Sequence, residues 1–254
     1  MVDHSNCKLG KLPPKHDPRV HAFAKYVATD LPAPTPVDWI GNVSSFGAML
    51  NDQIGCCTIA SKGHGLQIVT KNARIEFTIS DAQVERYYQV IDGYDPSNPA
   101  TDQGGVISDV LAWIAKHKFA GHALGGYCTV DPKNDIHINQ AIALFGDLDV
   151  GVALPISAQN QDVWDVPDGQ DLTGDWVPGS WGGHDISIHA FSANGDLTCI
   201  TWGAPKVITR KWFKTYCDEA YALLWAAWIE NGGKSPSGFD YDALAVDFAA
   251  IRES

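Results

Sequence analysis

The sequence predicts an α+β chain, with a helical lobe first and a sheet lobe second. Three observations carry this. Ile107, Val110, Leu111 and Ile114 recur at the spacing of one helix face. His184, Ile186, Ile188 and Ala190 alternate as one strand face, and Asn194-Gly195 behind them is a hairpin signal. Helix signals gather before residue 146 and strand signals after it, so the two kinds of element are segregated along the chain. At 254 residues, 45% hydrophobic and 19% charged, the chain is globular and large enough to build a core without disulfides or metals.

The elements follow in order. Residues 8–38 carry prolines at 13, 14, 18, 32, 34 and 36 and read as an extended arm lying on a surface, because proline fixes φ and removes a donor. A helix is expected from Cys57 to about Val69, directly after the turn residues Asn51 to Gly55. Gly63 and Gly65 weaken it by about 1 kcal/mol each and admit a close neighbour, expected to be another backbone. Ser80-Asp81-Ala82-Gln83 has capping-box form and opens a helix to about Val90. The helix holding Ile107 to Ile114 is expected to stop at Gly121, and one over 134–145 to end at Gly146. Strands are expected over Val150–Ile156, His184–Phe191, Leu197–Trp202 and Tyr221–Trp225, with a short helix at 209–217 and a loop at 159–183.

Charge narrows the function classes. Eighteen basic against 30 acidic side chains give a net charge of −12, which disfavours nucleic acid and anionic membrane as partners. No apolar run approaches the about 20 residues of a membrane span, and Met1 to Gly10 holds no apolar signal region, so a cytoplasmic or phage-associated location is expected. The cysteines at 7, 56, 57, 128, 199 and 217 are expected as free or buried thiols. No CxxC or HExxH spacing is present, so no metal site or cofactor is expected.

Two residues carry candidate chemistry. Cys57 stands at the start of a predicted helix, where the helix dipole favours the thiolate, the reactive form. His184 opens a strand behind Trp181-Gly182-Gly183, whose glycines leave room for a substrate backbone. It lies 127 residues after Cys57, close to the about 130–150 residues that separate thiol and imidazole in one group of cysteine proteases.

The chain resembles the papain-like cysteine peptidases, of the divergent bacterial or phage type. Pro36-Val37-Asp38-Trp39 is similar to the family's P-x-x-V-D-W, and Asn51 to Ala60 (NDQIGCCTIA) to its Q-G-x-C-G-S-C-W-A-F. Gln103-Gly104-Gly105 and the following helix resemble its G-G helix, Gly183 to Ile188 its G-H-A-V-x-V, and Ile200-Thr201-Trp202-Gly203 its N-S-W-G. The resemblance covers about residues 36–222. It implies a two-lobed papain-like fold with a helical left lobe at about 40–145 and an antiparallel β-barrel right lobe at about 146–230. The cleft would lie between them, and residues 1–35 would be an arm outside a single catalytic domain at 36–254.

The resemblance also implies roles. Cys57 would be the nucleophile, His184 the general base and then acid, and a peptide or amide the substrate. The oxyanion glutamine falls on Asn51, with Gln53 the alternative, while Gly183, Trp181 and Trp202 would line the cleft. The family's orienting Asn falls on Ile200, which cannot accept a hydrogen bond. Thr201 is the neighbouring hydroxyl, expected on the opposite strand face, so a group elsewhere, a backbone carbonyl or an unassisted dyad remains. Thr58 and Cys56 also depart from the motif. A short arm gives no recognisable inhibitory segment. A catalytically weak or inactive binding protein on the same scaffold is the alternative. His64 reads as a core histidine, Asp165, Asp168 and Asp171 as a solvated loop, and Asp218 and Glu219 as solvent contacts.

Overall fold

The computed structural model describes residues 4, 7–73, 75–230 and 240–253. The helical half comprises α1 (Cys57–Asn72), α2 (Asp81–Asp92), α3 (Ile107–Lys116) and, after strand β2 (Leu124–Thr129), α4 (Asp135–Phe145). A short β1 (Val37–Asp38) precedes them. The sheet half follows with β3 (Leu148–Leu154), β4 (Val163–Trp164), β5 (Gly182–Phe191), β6 (Leu197–Thr201) and β7 (Ala204–Ile208), then α5 (Arg210–Tyr216) and β8 (Cys217–Trp225). Two helices, α6 (Ala226–Glu230) and α7 (Tyr241–Glu253), end the chain.

The helices begin and end where local chemistry requires. Ser80 and Gln83 form the reciprocal capping box of α2, and Gly93 closes it in the left-handed conformation. Asn134 caps α4 and Gly146 ends it at φ +69°. α3 stops at Lys116, short of Gly121. α1 runs three residues past the expected Val69 despite its two glycines. What approaches them is side chain, the Met49 thioether at Gly63 and the Asp147 carboxylate at Gly65. Fourteen of the sixteen α1 residues are buried, so tertiary packing outweighs the propensity cost.

Eight strands form one sheet in the order β2-β8-β3-β5-β6-β7-β4, with β1 pairing β5. All pairs are antiparallel except β4 with β7. The expected antiparallel barrel is therefore corrected to an open sheet. β4, at one end, spans two residues and continues into the 165–181 loop, so no ladder runs on toward β2. β8 begins at Cys217, four residues before the expected Tyr221, and β2 and α7 were not expected at all.

Two hydrophobic cores result. One packs α1, α2 and α3 around Ile59, Leu66, Tyr88, Leu111 and Ile114, and reaches Leu223 and Trp225 of β8. The other packs α4 and α5 on the sheet through Phe145, Val150, Ile188, Trp164 and Trp212. β5 lies against α1, which brings the start of one element to the start of the other. No helix among the described residues is long and apolar enough to cross a membrane.

Candidate active site

Cys57 is the first residue of α1, and its side chain is fully buried. The loop before it is tightly wound. Met49 and Leu50 both hold φ in the left-handed region, at 52° and 61°, a strain of about 1–2 kcal/mol each held in place by Met49 packed against Gly63. This winding turns Asn51 inward, 2% exposed, while Gln53 faces solvent. Of the two oxyanion candidates, only Asn51 presents its amide to the interior.

His184 sits near the start of β5 and is also fully buried. Its Nε2 is 2.7 Å from Thr201 Oγ1, and its ring stacks on Trp202 at 4.4 Å and 14°. Nδ1 has no hydrogen-bond partner among the described residues. Thr201 therefore shares the face of His184, against the expectation. Ser187 pairs Ile200 in the antiparallel ladder, so Thr201 falls opposite Ile186, and Ile186 and His184 lie on one face. Trp202 at φ +46° and Gly203 at +78° form the turn that folds the indole back over the imidazole.

The strand of His184 reaches the thiol. The backbone N–H of Asp185 is directed at Cys57, as is the N–H of Gly10. Burial pushes the Cys57 thiol up to about 12, and the nearby Asp185 carboxyl adds to this. Burial likewise pulls His184 down to about 3. Both groups are neutral at pH 7 in this arrangement.

What buries them is the start of the N-terminal arm: residues 8–12 run between α1 and β5, whereas most of 13–38 is exposed, as expected for an arm on a surface. Lys8 N–H donates to Asn51 O at 3.3 Å, while Lys8 O accepts from Asn51 Nδ2 at 3.4 Å and Trp202 Nε1 at 3.0 Å. Gly105 N–H donates to Gly10 O at 2.7 Å, and Leu12 N–H to Gly105 O at 2.9 Å. On the opposite wall Lys11 N–H donates to Gly183 O at 3.1 Å. The fit needs glycine at two contacts, since a Cβ on Gly10 would lie 1.7 Å from Gly55 O and one on Gly183 would lie 2.2 Å from Lys11 O. The sequence holds no recognisable inhibitory motif in its short arm, yet residues 8–12 are bonded to both the loop before α1 and the start of β5.

No protein-family model and no curated protein sequence matches the chain. Solved structures do. Xylellain, a cysteine protease from Xylella fastidiosa, superposes with a TM-score of 0.63 over 86% of this chain and 96% of its own, at 13% identity. The fold is papain-like. Bromelain from Ananas comosus, solved with the E64 inhibitor, matches at 0.52 over 75% and 99% at 16% identity. Digestive procathepsin L 3 of Tenebrio molitor matches at 0.53 over 87% and 77% at 14% identity.

The remaining candidates divide on this papain-like frame. Trp181 packs on Trp202 at 5.5 Å. His64 is a core residue, its Nε2 2.8 Å from Gly47 O, and burial pulls it down to about 4. In the acidic loop Asp165 accepts from Thr209 Oγ1 at 2.7 Å and Asp168 pairs with Lys211 at 2.8 Å. No group of three His, Cys, Asp or Glu among the described residues is placed to hold a metal. None of the six cysteines, all among the described residues, is in a disulfide. Glu219 is not a solvent contact but buried, and Asp218, exposed as expected, is also ion-paired. Lys11 Nζ lies 2.8 Å from Asp218 Oδ2 and 3.2 Å from Glu219 Oε1, with the Glu219 side chain 7% exposed. The sequence signal for this pairing was a single lysine in a proline-rich arm, and a strand start placed four residues late hid its acidic partners.

Proposed function

We propose that the chain is a thiol-dependent peptidase or amidase with Cys57 as nucleophile and His184 as general base and acid. The observation that carries the reading is His184 held by Thr201 through Nε2 while Nδ1 is left unpaired beside the strand that reaches Cys57. With Nε2–H donating to Thr201 Oγ1, the Nδ1 lone pair takes the thiol proton. Cys57 Sγ then bonds to the substrate carbonyl carbon, and the tetrahedral oxyanion accepts from Asn51 Nδ2 and the Cys57 N–H. Imidazolium returns the proton to the leaving nitrogen as the C–N bond breaks. Water, deprotonated by His184, attacks the thioester, and the acid leaves with Cys57 restored.

The arm sets the resting state. While Gly10 and Lys11 occupy the cleft, thiol and imidazole are both neutral and no peptide can enter. Activity therefore requires the arm to withdraw. The same filled cleft is what favours the second reading, a scaffold that binds through the cleft and does not turn over.

Alkylation distinguishes the two. The full-length protein is treated with limiting E64 epoxide, the inhibitor seen on bromelain, or iodoacetamide from pH 4 to 9, and the modified cysteine is mapped by mass spectrometry. Gly10→Ala, whose methyl cannot fit against Gly55 O, is run beside wild type to free the cleft. Cys57 is expected to label selectively below pH 7 in Gly10→Ala, at least about tenfold faster than in wild type, a factor worth about 1.4 kcal/mol. His184→Ala in that background is expected to abolish the low-pH labelling. Labelling of Cys57 no faster than Cys7 in both proteins overturns the enzyme reading.

A further inference from the structure

We propose that Gly151, Asp218 and Glu219 form a pocket selective for a lysine or arginine side chain of the substrate, and that Lys11 of the arm is its resident occupant. The assignment rests on the cleft being a peptide-binding cleft, and it names the class of peptide. The pocket is one residue from the point of attack, because Gly10, whose N–H faces Cys57, precedes Lys11. Its backbone wall is Gly183, which accepts Lys11 N–H and adjoins His184.

The occupant is held as a ligand would be. The Lys11 side chain is 1% exposed, and a buried ammonium is tolerated only when paired. Burial pulls its proton affinity down, but the hydrogen bond and charge of Asp218, aided by Glu219, outweigh this and leave it raised. Glu219 is anchored by Tyr221, whose hydroxyl donates to Oε2 at 3.0 Å. Oε1 is buried and lies 3.2 Å from the ammonium, so a guanidinium could engage it together with Asp218. The stem needs Gly151, because a Cβ there would lie 2.2 Å from Lys11 Cε. On its outer side the pocket adjoins a cavity of about 350 Å³ lined by His16, Pro132, Asp218, Glu219 and Tyr221. A neutral side chain would bury Glu219 without its partner, and that is the basis of discrimination.

Binding is measured without turnover, so that it stands apart from the reactivity of Cys57. The full-length Gly10→Ala/Lys11→Ser/Cys57→Ala variant, with cleft and pocket vacated and the nucleophile removed, is titrated calorimetrically with the hexapeptide Ser-Lys-Leu-Gly-Lys-Leu and with versions carrying Arg, Gln or Leu at the fifth position. The Lys and Arg peptides are expected to bind at least about tenfold more tightly than the Gln and Leu peptides. Glu219→Gln in the same background is expected to erase the preference, and Asp218→Asn, at a half-exposed position, serves if that variant does not fold. Equal affinities, or no binding by any peptide, overturn the pocket. Preferential binding with an inert Cys57 retains the pocket and removes the enzyme reading. A reactive Cys57 with equal affinities does the reverse.

Discussion

At the scale of the residue, the imidazole is held by a hydroxyl where the resembling family uses an amide. Thr201 Oγ1 at 2.7 Å from His184 Nε2 fixes the ring plane, and the Trp202 stack excludes water from it. Thr201→Val keeps the shape and removes the oxygen, leaving a buried ring nitrogen unpaired at about 1–3 kcal/mol. On the proposed mechanism kcat is expected to fall by about 10- to 100-fold with KM little changed, and Thr201→Ser to recover most of it. Equal losses for Val and Ser would show that the hydroxyl does not orient the ring. This role was hidden in the sequence by a single step of register. Alignment on N-S-W-G puts the orienting position at Ile200, and only the pairing of Ile200 with Ser187 shows that the next residue shares the face of His184.

At the scale of the element, α1, β3 and β5 are pinned together by charge beneath the candidate site. Lys62 of α1 lies 2.6 Å from Asp149 of β3 and 2.6 Å from Asp185 of β5, all fully buried at their charged ends, and Ser61 Oγ donates to Asp185 at 3.0 Å. Removing the one cation leaves two carboxyls facing each other without compensation. Lys62→Met is expected to destabilise the fold by about 3–5 kcal/mol in urea unfolding, and adding Asp185→Asn to recover part of it. A loss under about 1 kcal/mol, the size seen for exposed pairs, would show that the cluster is hydrated. None of this was legible, because Lys62 reads as one polar residue in a helix and its partners are 87 and 123 positions away. What could be read was local: the capping box of α2, the apolar stripe of α3, the Gly146 stop of α4 and the alternation of β5. Sheet closure, β2 with its paired glycines, and the course of the arm are set by contacts between distant segments, and for these local propensity says little. The arm was legible as extended and illegible as a plug.

At the scale of the whole molecule, the buried titratable groups set how stability varies with pH. His64, His184 and His189 are pulled down by burial to about 4, 3 and 3 from an ordinary 6.5. Below pH 6.5 the unfolded chain binds protons that these folded imidazoles refuse, so their contribution is lost as pH falls toward 3. Asp147 and Asp92 run the other way. Burial raises them to about 8 and about 7 from an ordinary 3.8, so the folded chain keeps protons the unfolded chain releases, and stability is lost as pH rises through that window. Between 3.8 and 6.5 the two sets oppose each other. Above 6.5 the imidazoles are neutral in both states and only the carboxyls act. A broad maximum on the acid side of neutrality follows, with a decline toward pH 8. Asp147 alone accounts for roughly 2 kcal/mol of that decline between pH 6.5 and 8, at about 1.4 kcal/mol per unit for each proton. Its Oδ2 accepts from Trp225 Nε1 at 2.8 Å, a bond that Asp147→Asn can keep through its amide oxygen. Urea midpoints from pH 4 to 8 test this directly. Wild type is expected to weaken above pH 6.5 and Asp147→Asn to weaken less, whereas parallel profiles would mean that Asp147 ionises in the folded chain as readily as in water.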